Sequence, residues 1–375
     1  MSSGPVLYKV MIEYLEKQIE NGVYANGHKL PSEAALAEMF NASRITSKRA
    51  LQELELKGVI YRRKGSGSFV TEHHSLKTLK NTHILSNNAK LYENSIDCIL
   101  PFDALEGKFN KILQIKSTTG ILEKHGYHLT LHNSMENEEV EREIISKIVQ
   151  NNTKGIILYP HYDRANLDLL YEVWRRKIPI AVIDKKIPDI PICSIYSDNT
   201  AGAYLLTQEL IENGHTKIAC LYRRDLNDVF TIRHRFFGYC SSLLDNGMDV
   251  NYNYIINDYS RMLDNGVIFE SLLGDILDMG ITAVIGESDY TALNIIEACF
   301  RLGIKVPDEL SVVGFDNAYQ SETSNPPLTT VDQDFTAMGK LAAEAIIAQL
   351  TNKSYETDQI VPVELIRRQS VKKLK

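Results

Sequence analysis

The stretch Leu30-Pro31-Ser32-Glu33-Ala34-Ala35-Leu36-Ala37-Glu38-Met39-Phe40-Asn41-Ala42-Ser43-Arg44-Ile45-Thr46-Ser47-Lys48-Arg49-Ala50-Leu51 decides the fold of the first part of the chain. Pro31-Ser32-Glu33 has the make-up of a helix start. The Ser32 hydroxyl is placed to accept an orphan amide, and Glu33 sits at the positive end of the dipole. Phe40 closes that helix, and Asn41-Ala42-Ser43 makes a tight turn. Ser43 caps a second helix that runs toward Lys57 and stops at Gly58. Ala50, Leu51 and Leu54 share one face of it and pack inward, while Arg44, Lys48 and Gln52 line the opposite face at four-residue spacing. Two helices joined by a short turn, with cations opening the second, form a helix-turn-helix whose second helix is suited to base edges in the major groove.

Working outward, Val59–Arg62 and Ser68–Val70 read as two strands around Lys64-Gly65-Ser66-Gly67. The glycines permit a tight hairpin, and Arg62, Arg63 and Lys64 surround its base. Such a wing suits phosphate or minor-groove contact. Charge points the same way. The whole chain of 375 residues has a formal net charge of −7, which argues against a nucleic-acid binder if taken alone. Residues 1–80, however, carry 12 Lys/Arg against 8 Asp/Glu, and residues 41–80 carry 9 against 3. The asymmetry separates a head that meets phosphate from a body that does not.

This set of residues resembles the GntR winged-helix family: Leu30-Pro31-Ser32-Glu33, Ser43-Arg44-Ile45-Thr46, Ala50-Leu51 with Leu54, Gly58, and Gly65-Ser66-Gly67-Ser68-Phe69-Val70. The resemblance implies that Arg44 and Thr46 contact DNA, with Gly65–Gly67 entering the groove beside the recognition helix. Ser32, Ser43, Ser47, Lys48, Arg62 and Lys64 complete the set of candidate contacts. The plain alternative for any one cation is a solvated face, and the ordered set argues against it. Two positions depart from the family. Lys48 stands where arginine is usual, and Ala34 where arginine or asparagine is common. Lysine keeps the charge and loses the bidentate fork that reads guanine.

Beyond the head, 73–94 is polar, without a sustained apolar face, and reads as a linker between a domain at 1–72 and one at 95–375. From Ser95 onward short apolar runs alternate with amphipathic helical patterns. Gly155–Tyr159, Ile180–Ile183, Ile218–Tyr222, Ala283–Ile285 and Leu310–Phe315 read as strands. Val140–Gln150, Ala201–Asn213, Tyr290–Leu302 and Ala337–Leu350 read as helices. The fold class expected is α/β, with parallel sheets covered by helices and divided into two lobes.

Composition limits the chemistry. Hydrophobic residues make up 44% and charged residues 24%, which is ordinary for a globular protein. No apolar run reaches the length of a bilayer crossing and the N-terminus lacks a signal pattern, so a cytoplasmic protein without membrane contact is expected. The five cysteines, Cys98, Cys193, Cys220, Cys240 and Cys299, show no paired spacing for zinc and read as reduced, buried thiols. P-loop, GxGxxG, GxSxG and HExxH motifs are missing, and no cofactor or metal is implied.

The body resembles the LacI/GalR sugar-sensing domain, which is similar to periplasmic sugar-binding proteins. The residues that carry the resemblance occur in family order: Lys154-Gly155-Ile156-Ile157-Leu158, Ile178-Pro179-Ile180-Ala181-Val182-Ile183-Asp184, Ser197-Asp198-Asn199, Gly214-His215-Thr216-Lys217-Ile218-Ala219, Arg235 with Gly238-Tyr239, Val306-Pro307-Asp308-Glu309-Leu310-Ser311-Val312-Val313-Gly314-Phe315-Asp316, and Leu328-Thr329-Thr330-Val331. It implies a winged helix-turn-helix followed by a two-lobed, periplasmic-binding-protein-like (type I) effector domain, with three crossovers and a sugar in the cleft. Position by position, Asp184, Arg235 and Asp316 become the polar clamp and Phe335 a stacking wall. Asp289 becomes a cleft residue holding Arg235 or the ligand, and Tyr259 another cleft aromatic. Ser288 stands where asparagine is usual, so one hydroxyl contact changes. Strand ends also favour aspartates that cap turns, a structural reading for Asp184 and Asp316. The joint resemblance implies a sugar-responsive repressor with operator DNA, a monosaccharide effector (a pentose such as L-arabinose) and a homodimeric partner. The rival expectations are a sugar-binding protein without DNA and a sugar-acting enzyme with a regulatory head.

Overall fold

The computed structural model describes residues 7–20, 22–25, 27–56, 59–63, 67–71, 94–101, 108–264 and 269–374. The chain divides into two compact units, Met1–Lys90 and Leu91–Lys375. The expectations that fall on Lys57, Gly58, Lys64, Gly65, Ser66 and residues 73–93 lie outside the described residues.

In the first unit, α1 (Leu7–Glu20), α2 (Glu33–Met39) and α3 (Arg44–Leu56) precede the antiparallel strands β1 (Ile60–Arg63) and β2 (Gly67–Val70). Ser32 caps α2 by accepting the Ala35 amide at 3.2 Å, and Ser43 accepts the Thr46 amide at 3.2 Å at the start of α3. Asn41 takes a left-handed φ of 48° in the turn between them. Met11, Leu15, Leu36, Ala50, Leu51, Leu54, Val59, Ile60 and Val70 close one small core. Each Leu, Ile, Val or Met side chain among them contributes about 1.5–3 kcal/mol on burial. Gly67 has φ 115°, and a Cβ there would meet the Lys29 side chain at 2.9 Å. The Lys29 side chain can swing aside, so it is the positive φ that favours glycine here.

In the second unit a six-stranded parallel sheet has the order β13-β7-β6-β5-β3-β4. Its strands are β3 (Ser95–Leu100), β4 (His128–Asn133), β5 (Ile156–Leu158), β6 (Ile180–Ile183), β7 (Cys193–Ser197) and β13 (Asp358–Val361). Alternation along the strands divides their side chains between two cores. Ile96, Cys98, Ile157, Ala181, Ile183 and Ile195 meet α4 (Lys108–Lys124) and α13 (Phe335–Leu350). Ile99, Ile156, Leu158, Ile180 and Val182 meet α5 (Glu138–Gln150) and α6 (Leu167–Arg175) on the other face. Burial on both faces is why the central strands β5 and β6 read as continuous apolar runs.

The second lobe holds a parallel sheet in the order β11-β10-β8-β9, made of β8 (Ile218–Leu221), β9 (Ile255–Ile256), β10 (Ala283–Gly286) and β11 (Ser311–Val313). One face carries α7 (Asn199–Glu212) and α8 (Phe230–Asp245). The other carries α9 (Tyr259–Asp264), α10 (Phe269–Asp278) and α11 (Asp289–Leu302). A short α12 (Tyr319–Thr323) follows β11, and an antiparallel pair, β12 (Thr330–Gln333) with β14 (Val363–Ile366), borders the sheet. The chain crosses between lobes after β7, after β12 and after β13. The Asp198 amide donates to Val361 O at 2.9 Å, tying two of these crossings together.

Candidate functional site: an exposed recognition helix and an interlobe cleft

On the first unit, Arg44 and Lys48 are exposed at the start of α3, together with Gln52. Thr46 is half-buried, its hydroxyl 2.9 Å from that of Ser43. Ser43 and Ser32 are exposed and spend their hydroxyls as caps. Ser47 departs from the expectation of a DNA contact. It is fully buried and donates to Glu33 O at 2.6 Å, which ties α3 to α2. Arg62 also has a protein partner, an ion pair with Glu33 that pins the base of the wing to α2. Arg63 instead lies over the Tyr61 and Phe69 rings at 5.4 and 5.7 Å. Gly67 is exposed at the described edge of the wing.

In the second unit a cavity of about 160 Å³ lies between the lobes, and Asp184, Arg235, Ser288, Asp316 and Phe335 all line it. Asp184 follows β6 and Asp316 follows β11, at the carboxyl ends of parallel strands, where α/β sheets place ligands. Both take positive φ, 69° and 118°, a strained backbone costing about 1–3 kcal/mol each. Arg235 projects from α8 and is held on several sides. Its Nε donates to Asn199 Oδ1 at 2.8 Å and Nη1 donates to Glu287 O. Nη2 lies 3.6 Å from Asp316 Oδ1, and the guanidinium carbon stands 3.7 Å from the centre of the Phe315 ring. Asp316 Oδ1 also accepts from Gln333 Nε2 at 2.5 Å. The Gln333 Oε1 is buried with no hydrogen-bond partner among the described residues, on a residue that lines the cleft.

Two expected site residues sit elsewhere. Tyr259 is buried in the second-lobe core, and its hydroxyl lies 3.0 Å from Thr291 Oγ1. It opens α9 directly after the left-handed Asp258, and this turn directs the ring inward rather than to the cleft. Asp289 is fully buried and does not hold Arg235. Its carboxylate accepts the Ala318 amide at 2.7 Å and the Thr330 hydroxyl at 2.5 Å, bracing the loop after β11. Burial pushes its carboxyl up to about 7, against those donors. Ser288 reaches the cleft and also caps α11 by accepting the Thr291 amide at 3.3 Å.

The cleft contains residues that the sequence did not single out. Lys185, next to Asp184, is buried and donates to Pro160 O at 2.5 Å and His161 O at 3.1 Å. Burial lowers its ammonium pKa, and the carboxylates of Asp184, Asp163 and Glu141 oppose that shift. Its Nζ stands 4.6 Å from the centre of the Tyr159 ring, and Lys111 donates to Pro101 O at 2.8 Å on the same wall. Burial also lowers the pKa of His161. The segment Tyr159-Pro160-His161-Tyr162 follows β5 as Asp184 follows β6, so its place at a strand end was the available signal. Cations, carboxylates and aromatic faces around a small space equip the cleft to hold a hydroxyl-rich molecule through charge-assisted hydrogen bonds.

Comparison with known proteins follows the same division. Residues 7–70 match the bacterial regulatory proteins of the gntR family, and residues 207–371 match a periplasmic binding protein-like domain. The arabinose metabolism transcriptional repressor of Halalkalibacterium halodurans is 26% identical over 91% of this chain and 88% of its own length. The HTH-type transcriptional repressor PurR of Photobacterium profundum is 30% identical over 66% of this chain and 73% of its own. The crystal structure of the transcription regulator CcpA of Lactococcus lactis superimposes with a TM-score of 0.65 at 22% identity, covering 74% of this chain and 99% of that one. The basic helix-turn-helix, the two-lobed body and these relatives together place the chain in the bacterial transcriptional repressors that join a gntR-family head to a periplasmic binding protein-like domain.

Proposed function

We propose that the protein represses sugar-utilisation genes, and that a monosaccharide in the interlobe cleft changes its affinity for operator DNA. The observation that carries this reading is Arg235. It is fixed by Asn199, Glu287 O and Asp316 at the wall of a cavity of about 160 Å³. A water takes up about 30 Å³ of liquid, so the space suits one small polar ring better than an oligomer. Asp184 and Asp316 accept hydroxyl protons, Arg235 donates, and Phe335 covers an apolar C–H face. The relative named for arabinose metabolism makes L-arabinose the first candidate. Arg44, Thr46 and Lys48 meet the operator, and Lys64, Gly65, Ser66 and Gly67 are its further candidate contacts.

The protein acts in the cytoplasm, where its DNA is, and as a homodimer whose two heads meet two half-sites about one or two helical turns apart. A tenfold to thousandfold change of operator affinity needs about 1.4–4 kcal/mol of coupling to the sugar. Its named relatives are repressors rather than enzymes.

Thermal melting of the protein against pentoses, hexoses and their phosphates tests the sensor, because a ligand of the folded body raises the transition once its concentration exceeds Kd. A shift with one sugar, lost in Arg235→Ala and Asp316→Ala, supports the reading. No shift with any sugar, in protein that still binds operator DNA, refutes it.

A further inference from the structure

Helix α8 carries Arg235, and it begins without a cap of its own: Val229 occupies the N-cap position and makes no side-chain hydrogen bond. The missing acceptor comes from the other lobe. Asp163, in the loop between β5 and α6, accepts the Phe230 amide on Oδ1 at 2.8 Å. Its Oδ2 accepts from Arg233 Nη2 at 2.9 Å. The Asp163 side chain is 6% exposed, so both partners are needed to satisfy a carboxylate shut away from water. The loop that bears it is anchored at home through the two carbonyls gripped by Lys185. Beside it, Arg224 of the second lobe donates to the Tyr162 hydroxyl at 3.1 Å, and the Tyr162 ring packs against the second-lobe core.

We infer that Asp163 is a positioning residue, an interlobe latch that caps α8 from across the cleft, so that closing the lobes and setting Arg235 for the effector are one event. Separating the lobes strips the first turn of α8 of its acceptor and leaves the Arg233 guanidinium without its carboxylate. A capping acceptor and a charge-assisted bond are each modest beside the stability of a whole lobe. The latch is therefore strong enough to bias closure and weak enough to be released. Arg235 sits two residues beyond Arg233 on the same helix, so fraying of that first turn loosens the clamp. The inference rests on the effector reading only for its affinity arm.

The test uses full-length protein as wild type, Asp163→Ala, Asp163→Asn and, as a control, Asp168→Ala, whose ion pair with Arg142 is exposed. Amide hydrogen exchange at 230–233 and small-angle scattering are measured without ligand, and L-arabinose binding by calorimetry. Asp163→Ala is expected to exchange at least tenfold faster in the first turn of α8 and to scatter as a more open body. It should also bind the sugar about tenfold more weakly. Asp163→Asn keeps a capping acceptor without the charge and should fall between, which also covers the case in which the alanine variant does not fold. Unchanged exchange in α8 overturns the latch, and so does faster exchange with wild-type sugar affinity. If wild type binds no L-arabinose, that sugar assignment fails. Exchange and scattering then decide the latch by themselves: a more open variant supports it and an unchanged one overturns it.

Discussion

The guanidinium carbon of Arg235 stands 3.7 Å from the centre of the Phe315 ring, while its Nη2 lies 3.6 Å from Asp316, the next residue along the chain. One strand end thus supplies both an aromatic floor and a carboxylate to the same cation. Arg235 is buried, so deleting it removes the cleft's fixed donor and leaves Asn199 and Asp316 with one partner fewer. Arg235→Ala is expected to lower effector affinity at least tenfold, about 1.4 kcal/mol, while operator binding without effector persists. Calorimetry with the sugar and a gel-shift titration check both parts. Arg235→Lys should rescue little, because an ammonium cannot reproduce the planar fork or the stacking.

Asp289 gives a pH dependence with a defined sign. Its folded-state pKa, about 7, lies above the ordinary carboxylate value near 4. The native state therefore holds the proton more tightly than the unfolded chain. The stabilisation is complete below about pH 4 and is lost as pH rises through about 7. Across pH 5–8 the urea midpoint of the wild type should fall relative to that of Asp289→Asn as pH rises, since only the wild-type residue titrates. A constant difference over that range refutes the prediction.

The two kinds of residue on the head should respond differently. Arg44→Ala removes an exposed cation from the start of α3. It should weaken operator binding by about 1–3 kcal/mol, relax base preference and leave the melting transition near wild type. Ser47→Ala removes the buried bond to Glu33 O and should cost about 1 kcal/mol of stability with the salt dependence of DNA binding unchanged. Parallel melting and fluorescence anisotropy at several salt concentrations separate them.

Gly238 lies where α7 and α8 touch. A Cβ there would stand 2.9 Å from the Tyr204 amide nitrogen and closer still to Thr200 O, both backbone atoms that cannot swing aside. Gly238→Ala is expected to destabilise the second unit by about 1–3 kcal/mol or more despite alanine's better helix propensity. Urea unfolding measures it. Wild-type stability would show that the helices separate easily.

The sequence by itself determined the alternation of strands and helices. Val182, Val284 and Val312 sit in strands buried on both faces, so their apolar runs stand out without any partner being known. It also determined the helix-turn-helix, because Ser32, Ser43 and the cations of α3 act within a few residues of themselves. Asp184, Arg235 and Asp316 were legible as strand-end and helix residues matching a family pattern. Only the tertiary structure decided what each of them touches. Tyr259 and Asp289 have the residue types of a binding site, yet one ring turns into the second-lobe core and the other carboxylate braces a loop 29 residues away at Ala318. Ser47 resembles its exposed neighbours in sequence but faces α2. Lys185 and Asp163 carry no local mark at all, since the partners of Lys185 lie 25 and 24 residues away in its own lobe and Arg233, the partner of Asp163, lies 70 residues away in the other. Local patterns report the chain's short-range preferences, whereas the chemistry of the cleft depends on long-range contacts that no short stretch of sequence encodes.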